Sequence, residues 1–240
     1  MTMPEDELEK TLDEDEAAIL QCRARLEITP LNFHAMHDLA VALAKADRTL
    51  EAVTAYEDLF DNCDDAEVIA KAIRSLCEFG DHYTSEQDLV TACIYYEVVV
   101  GIDPDNFIAR LGIGMFYFLQ GNLVKAMTEV EVAIASEPQN TDALFLKASI
   151  LYRVAMMDDR AVPLCMELLH KIRKIDPAHA EAAHLLAQFV PADSDEVTEL
   201  MDQVVPIEIG FGAALRSQID PEKSITHSTG IPGGKKPQTN

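Results

Sequence analysis

The sequence predicts an all-α fold: a right-handed α-solenoid of about four helix–turn–helix units with flanking helices. Three observations predict it. First, the chain resembles itself at a spacing of 34 residues, most clearly where Pro104 and Pro138 close two look-alike segments. Second, small and large residues recur at fixed places in that frame. Residues 73–106 carry Leu76, Phe79, Gly80, Tyr83, Ala92, Tyr96, Val99 and Pro104, and residues 107–140 carry Arg110, Ile113, Gly114, Tyr117, Ala126, Val130, Ala133 and Pro138. Small residues at slots 8 and 20 let two helices approach, large ones fill the seam, and proline at slot 32 stops the second helix. Third, the composition lacks tryptophan, is poor in glycine, and has no alternating run bounded by turn dipeptides that would suggest a sheet.

From the N-terminus, residues 1–14 are an acidic segment, and Glu5–Ile28 reads as a divergent unit in which Ala18, Cys22 and Pro30 match the second half of the frame. Residues 33–66 fit the frame through Met36, Leu39, Ala40, Leu43, Ala52, Tyr56 and Leu59, with Asp64 in place of the proline. Six further residues, 67–72, are expected to lengthen the first helix of the 73–106 unit. The 107–140 unit follows, and then a fourth at 141–179 with Leu144, Ala148 and Leu151. Pro163 is compatible with that unit only if its second helix begins close to Ala161, which places the ring in or near the first turn. Closing helices are expected at 180–190 and 195–205. The tail, 206–240, changes character, with five glycines and four prolines, and is expected to be mostly disordered after Pro221.

This pattern resembles the tetratricopeptide repeat across residues 15–205. The resemblance implies an array whose first helices line a concave groove and bind other proteins. Slots 2, 5, 9, 12 and 13 would face that groove. They hold His34, His37, Val41, Ala44 and Lys45 in the first unit, and Arg74, Cys77, Asp81, Thr84 and Ser85 in the second. The third unit gives Ile108, Leu111, Met115, Phe118 and Leu119, and the fourth, shifted by one slot after Phe145, gives Asp142, Phe145, Ile150 (slot 10), Arg153 (slot 13) and Val154 (slot 14). The expected groove is polar at one end and apolar in the third unit. Ile108, Leu111, Met115, Phe118 and Phe145 are its expected apolar contacts, with His34, His37, Arg74 and Arg153 setting register and direction. An apolar row facing water marks a binding site.

The family's best-known mode holds the terminal carboxylate of heat-shock chaperones and uses Lys and Asn at slots 5 and 9 of its first unit. Here those slots hold His37 and Val41, which disfavours that role. An acidic tetratricopeptide chain with an apolar groove also resembles the class II chaperones of type III secretion translocators, although this chain is longer.

Charge and cysteine usage narrow the classes. With 42 acidic against 19 basic residues the formal charge is −23. Such a surface repels nucleic-acid backbones and anionic membranes. Residues 1–16 alone carry eight carboxylates against Lys10. The acidic start lacks the basic-then-apolar pattern of a secretory signal, so a cytoplasmic protein is expected. Five cysteines, without CxxC spacing, are expected to be reduced, with Cys22, Cys77, Cys93 and Cys165 in helical core positions.

No phosphate-cradling glycine loop, GxSxG or HExxH motif occurs. His34 and His37 stand three apart beside Asp38 but lack further ligands, so no metal, cofactor or catalytic residue is expected. The sequence therefore predicts a non-catalytic adaptor, scaffold or chaperone that binds a segment of another protein, with self-assembly into a homo-oligomer as the alternative.

Overall fold

The computed structural model describes residues 5–189, with side chains from residue 14 onward. The described residues form ten α-helices: α1 (Glu5–Ile28), α2 (Phe33–Lys45), α3 (Thr49–Asn62), α4 (Ala66–Ser85), α5 (Leu89–Ile102), α6 (Phe107–Leu119), α7 (Leu123–Ser136), α8 (Thr141–Ala155), α9 (Val162–Ile175) and α10 (Ala180–Ala187). A 3-10 turn, Asp159–Ala161, leads into α9. The second expected closing helix, 195–205, and the tail, 206–240, lie outside the described residues. None of the described helices is long and apolar enough to cross a membrane.

Two kinds of turn shape the hairpins. In the pairs α2–α3, α4–α5 and α6–α7 the first helix ends in a residue of left-handed conformation, at Asp47 (φ 56°), Gln87 (φ 65°) and Gly121 (φ 76°). These three occupy the same slot of their frames. The next N–H reaches back to close the helix: Arg48 to the Leu43 carbonyl, Asp88 to Tyr83 and Asn122 to Tyr117, each at 2.9 Å. This is the Schellman closure, which satisfies carbonyls that the helix end leaves orphaned.

Between pairs, the tetrapeptides 29–32 (TPLN), 103–106 (DPDN), 137–140 (EPQN) and 176–179 (DPAH) put proline second and a capping side chain last. Proline presets the turn dihedral. The final Asn or His then accepts from an N–H of the helix it opens: Asn32 from Ala35 (3.1 Å), Asn106 from Ala109 (3.2 Å) and His179, through Nδ1, from Ala182 (3.2 Å). The 62–65 junction has no proline, and Asp65 caps α4 instead. That helix runs 20 residues because 66–72 extend it. Pro163 falls in the first turn of α9, where its missing N–H has no partner to lose.

The chain divides into two compact units, one up to Lys147 and one from Ala148. In the first, α2 packs on α3, α4 on α5 and α6 on α7. The first helices also touch each other, α2 with α4 and α4 with α6, and α3 touches α5. Two layers result, with the apolar core between them: Ala40, Tyr56, Leu59, Leu76, Tyr95, Tyr96, Val99 and Ile113 are buried there. In the second unit α10 packs on α9, and Cys165 of α9 donates to the Ala148 carbonyl at 3.3 Å. All five cysteines are free and buried, Cys63 included. Burial pushes the Cys77, Cys93 and Cys165 thiols up to about 12.

Candidate protein-binding face

The layer of first helices carries the residues expected to bind a partner, and the structure separates them into two sets. Beneath the surface lie Leu111, Met115 and Phe118, at 7 %, 1 % and 0 % exposure, together with Phe145 at 4 %. They stand on the apolar stripe expected to face water, and the structure buries it. The reason lies in α6, whose sequence FIARLGIGMFYFL is apolar almost all round. A helix of that kind is covered on several sides, and α6 is in contact with α4, α5 and α7. Of the row, Ile108 remains outside, 45 % exposed.

His37 is likewise internal. Its Nε2 stands 3.2 Å from Ser75 Oγ of α4, and its ring meets Tyr56 of α3 edge-on with centroids 6.2 Å apart. Nδ1 has no hydrogen bond and lies 3.6 Å from an Asp38 carboxylate oxygen. Burial, reinforced by the nearby Lys71 ammonium, holds the His37 pKa below its ordinary value, against the opposing pull of Asp38. The residue joins three helices and cannot read a partner directly. His34, one turn before it, is exposed, so the two imidazoles do not converge. Among the described residues no group of three or more His, Cys, Asp or Glu side chains is placed to hold a metal ion.

What the surface does offer is a basic patch. Asp38 of α2 is approached by Arg25 of α1 at 3.9 Å and Lys71 of α4 at 4.0 Å. All three side chains are about half exposed. Arg74, exposed, follows Lys71 on α4 at the spacing that places both on one helix face, and His34 precedes Asp38 in the same way on α2. Two cations beside one carboxylate, with Arg74 further along α4, stand out on a chain of charge −23. Arg25 and Lys71 escaped the slot reading because one lies in the divergent first helix and the other in the six-residue extension. Asp38 was the signal, since an acidic residue on an inner face draws cations.

Arg153 belongs to the second unit. It is half-buried, and desolvation holds its pKa below the usual guanidinium value.

No protein-family model and no curated protein sequence matches the chain. Solved structures do match. YrrB, described as a TPR protein with an unusual peptide-binding site, aligns with a TM-score of 0.51 and 15 % identity, over 82 % of this chain and 97 % of its own. A MamA RS-1 double mutant aligns with a TM-score of 0.49 and 16 % identity, over 78 % of this chain and 97 % of its own. A tetratricopeptide repeat protein from Parabacteroides merdae aligns at 0.45 and 14 %, over 82 % and 70 %. The likeness to YrrB shows the all-α fold to be that of a tetratricopeptide solenoid, and at 15 % identity it speaks of fold alone.

Proposed function

We propose that this chain is a non-catalytic protein-binding scaffold that holds a segment of another protein against its first-helix layer. The observation that carries this reading is the strip running from α2 through α4 to α6. It sets the basic patch of His34, Lys71 and Arg74 beside an exposed isoleucine at the equivalent position of the next repeat, Ile108. A segment with an acidic residue at one end and an apolar residue toward the other matches that order of chemistry.

The two contacts divide the work. Exposed ion pairs contribute about 0–1 kcal/mol each, so the patch mainly sets direction and speeds encounter. Burying an isoleucine fully contributes about 1.5–3 kcal/mol, and Ile108 is already half covered, so its share is smaller. An affinity built this way is modest and selective.

Capture from a lysate of the source cells, with the full chain as bait, tests the reading. The comparison is wild type against Ile108→Glu and against the pair Lys71→Glu and Arg74→Glu, with circular dichroism to verify the fold. Proteins retained by wild type and lost by both variants at unchanged helicity support the proposal. The same set retained by all three baits contradicts it.

A further inference from the structure

The second helices form a surface of their own. Between α3 and α5 runs a groove of about 390 Å³, within the range of about 300–1,000 Å³ typical of ligand-sized clefts. Its floor consists of two stripes at helical spacing: Val53 and Phe60 on α3, and Ile94, Val98 and Ile102 on α5. Ile102 is 42 % exposed and the other four are half-buried. The rim is acidic. Glu57, Asp61 and Glu97 line it, all exposed, and no basic residue does.

Gly101 completes the groove. It lies within the last turn of α5, where a glycine weakens the helix. Its φ is not positive, so no turn demands it, and a Cβ there would meet nothing within 4 Å. Neither backbone geometry nor packing within the chain explains the residue. Its effect is to leave the groove open where another backbone could approach.

We propose that this groove docks an amphipathic helix of a partner protein, with apolar residues at i, i+3 or i+4, and i+7 flanked by lysine or arginine. The two stripes match the side-chain spacing of a helix laid in a groove. The three carboxylates favour basic flanks and repel acidic ones. This surface is separate from the first-helix face, carries the opposite charge, and does not depend on that face binding anything.

The test uses fluorescence polarisation with the full chain and two labelled synthetic helices. One carries leucines at i, i+3, i+4 and i+7 with lysines on both flanks; the other has every lysine replaced by glutamate. The lysine peptide is expected to bind roughly tenfold or more tightly than the glutamate peptide. Gly101→Trp, which fills the groove, should weaken the lysine peptide by a similar factor, as should Glu57→Lys with Glu97→Lys. A charge-matched pair elsewhere, Glu86→Lys with Asp105→Lys, should change it by no more than about twofold. Helicity should be unchanged in all. Equal weakening by the charge-matched pair means diffuse charge attraction and overturns the proposal, as does equal binding of both peptides, no binding of either, or indifference to Gly101→Trp. A chain ending at Pro206 that binds the lysine peptide roughly tenfold more tightly also overturns it, because the occupant is then the chain's own tail.

Discussion

The aromatic ring of Tyr96 occupies the place where a Cβ at Gly80 would stand. The opposite edge of the same ring fills the corresponding place at Gly112. One tyrosine of α5 is therefore clasped between α4 and α6, and its hydroxyl donates to Asp81 at 2.7 Å. Held on both edges and anchored at its tip, the ring has nowhere to swing. Gly80→Ala and Gly112→Ala should each cost about 1–3 kcal/mol in urea unfolding, and Tyr96→Leu should relieve part of the Gly80→Ala cost when the two are combined. Gly101→Ala, facing open space, should stabilise by about 0.5–1 kcal/mol. Three alanine variants of equal stability would contradict the clasp.

A second series probes the helix crossing in the next pair. A Cβ at Gly114 would come within 2.8 Å of Val130 Cγ2, and Ala126 is fully buried, whereas Ala135 is exposed. Gly114→Leu and Ala126→Leu should lower stability by about 1–3 kcal/mol or more. Ala135→Leu should stay within about 0.5 kcal/mol of wild type. Equal denaturation midpoints for the three would remove the basis for the repeat frame.

The equivalent turn positions make a matched experiment. Gln87 and Gly121 share a slot and a left-handed backbone, and both are exposed. A side chain in that conformation costs roughly 1–2 kcal/mol, partly offset by the extra freedom that glycine has when unfolded. Gln87→Gly should raise the urea midpoint and Gly121→Gln should lower it. The opposite signs would show that the turns are not under local strain.

His37 should confer a pH dependence. Its pKa is depressed in the folded state, so the unfolded chain binds the proton more tightly. Stability is therefore lost as pH falls through the unfolded histidine range, near 6.5, toward the lower folded value. The groups facing it are Ser75, Tyr56, Asp38, Lys71 and His34. The stability difference between wild type and His37→Gln should narrow as pH drops from 7 toward 5, measured by denaturant titration at each pH. A difference that stays constant would mean that His37 does not titrate as described.

Much of the scaffold was legible because its signals are local. The frame opens at Phe33, Phe107 and Thr141, where α2, α6 and α8 begin, and Pro163 required the helix start that α9 shows. The recurring tetrapeptides at the inter-pair turns carried as much information and were missed, since only their prolines were read. The face assignment was less legible. In α6 nearly every position is apolar, so periodicity cannot say which stripe meets a neighbour and which meets water. Leu111, Met115 and Phe118 went to the groove on slot number alone, and the structure buries them. His37 misled for a related reason: a polar residue three from another looks like surface until its partner, Ser75 on a different helix, is known.

The most direct test of the central reading places a photo-crosslinking amino acid at single sites of the full chain in the source cells. Position 108 lies on the first-helix layer, and position 124, where Val124 is 79 % exposed, lies on α7. The account predicts a discrete adduct to another protein from position 108, absent from position 124 and abolished by Arg74→Glu with Lys71→Glu. No adduct at 108, or an identical pattern from both positions, would contradict it.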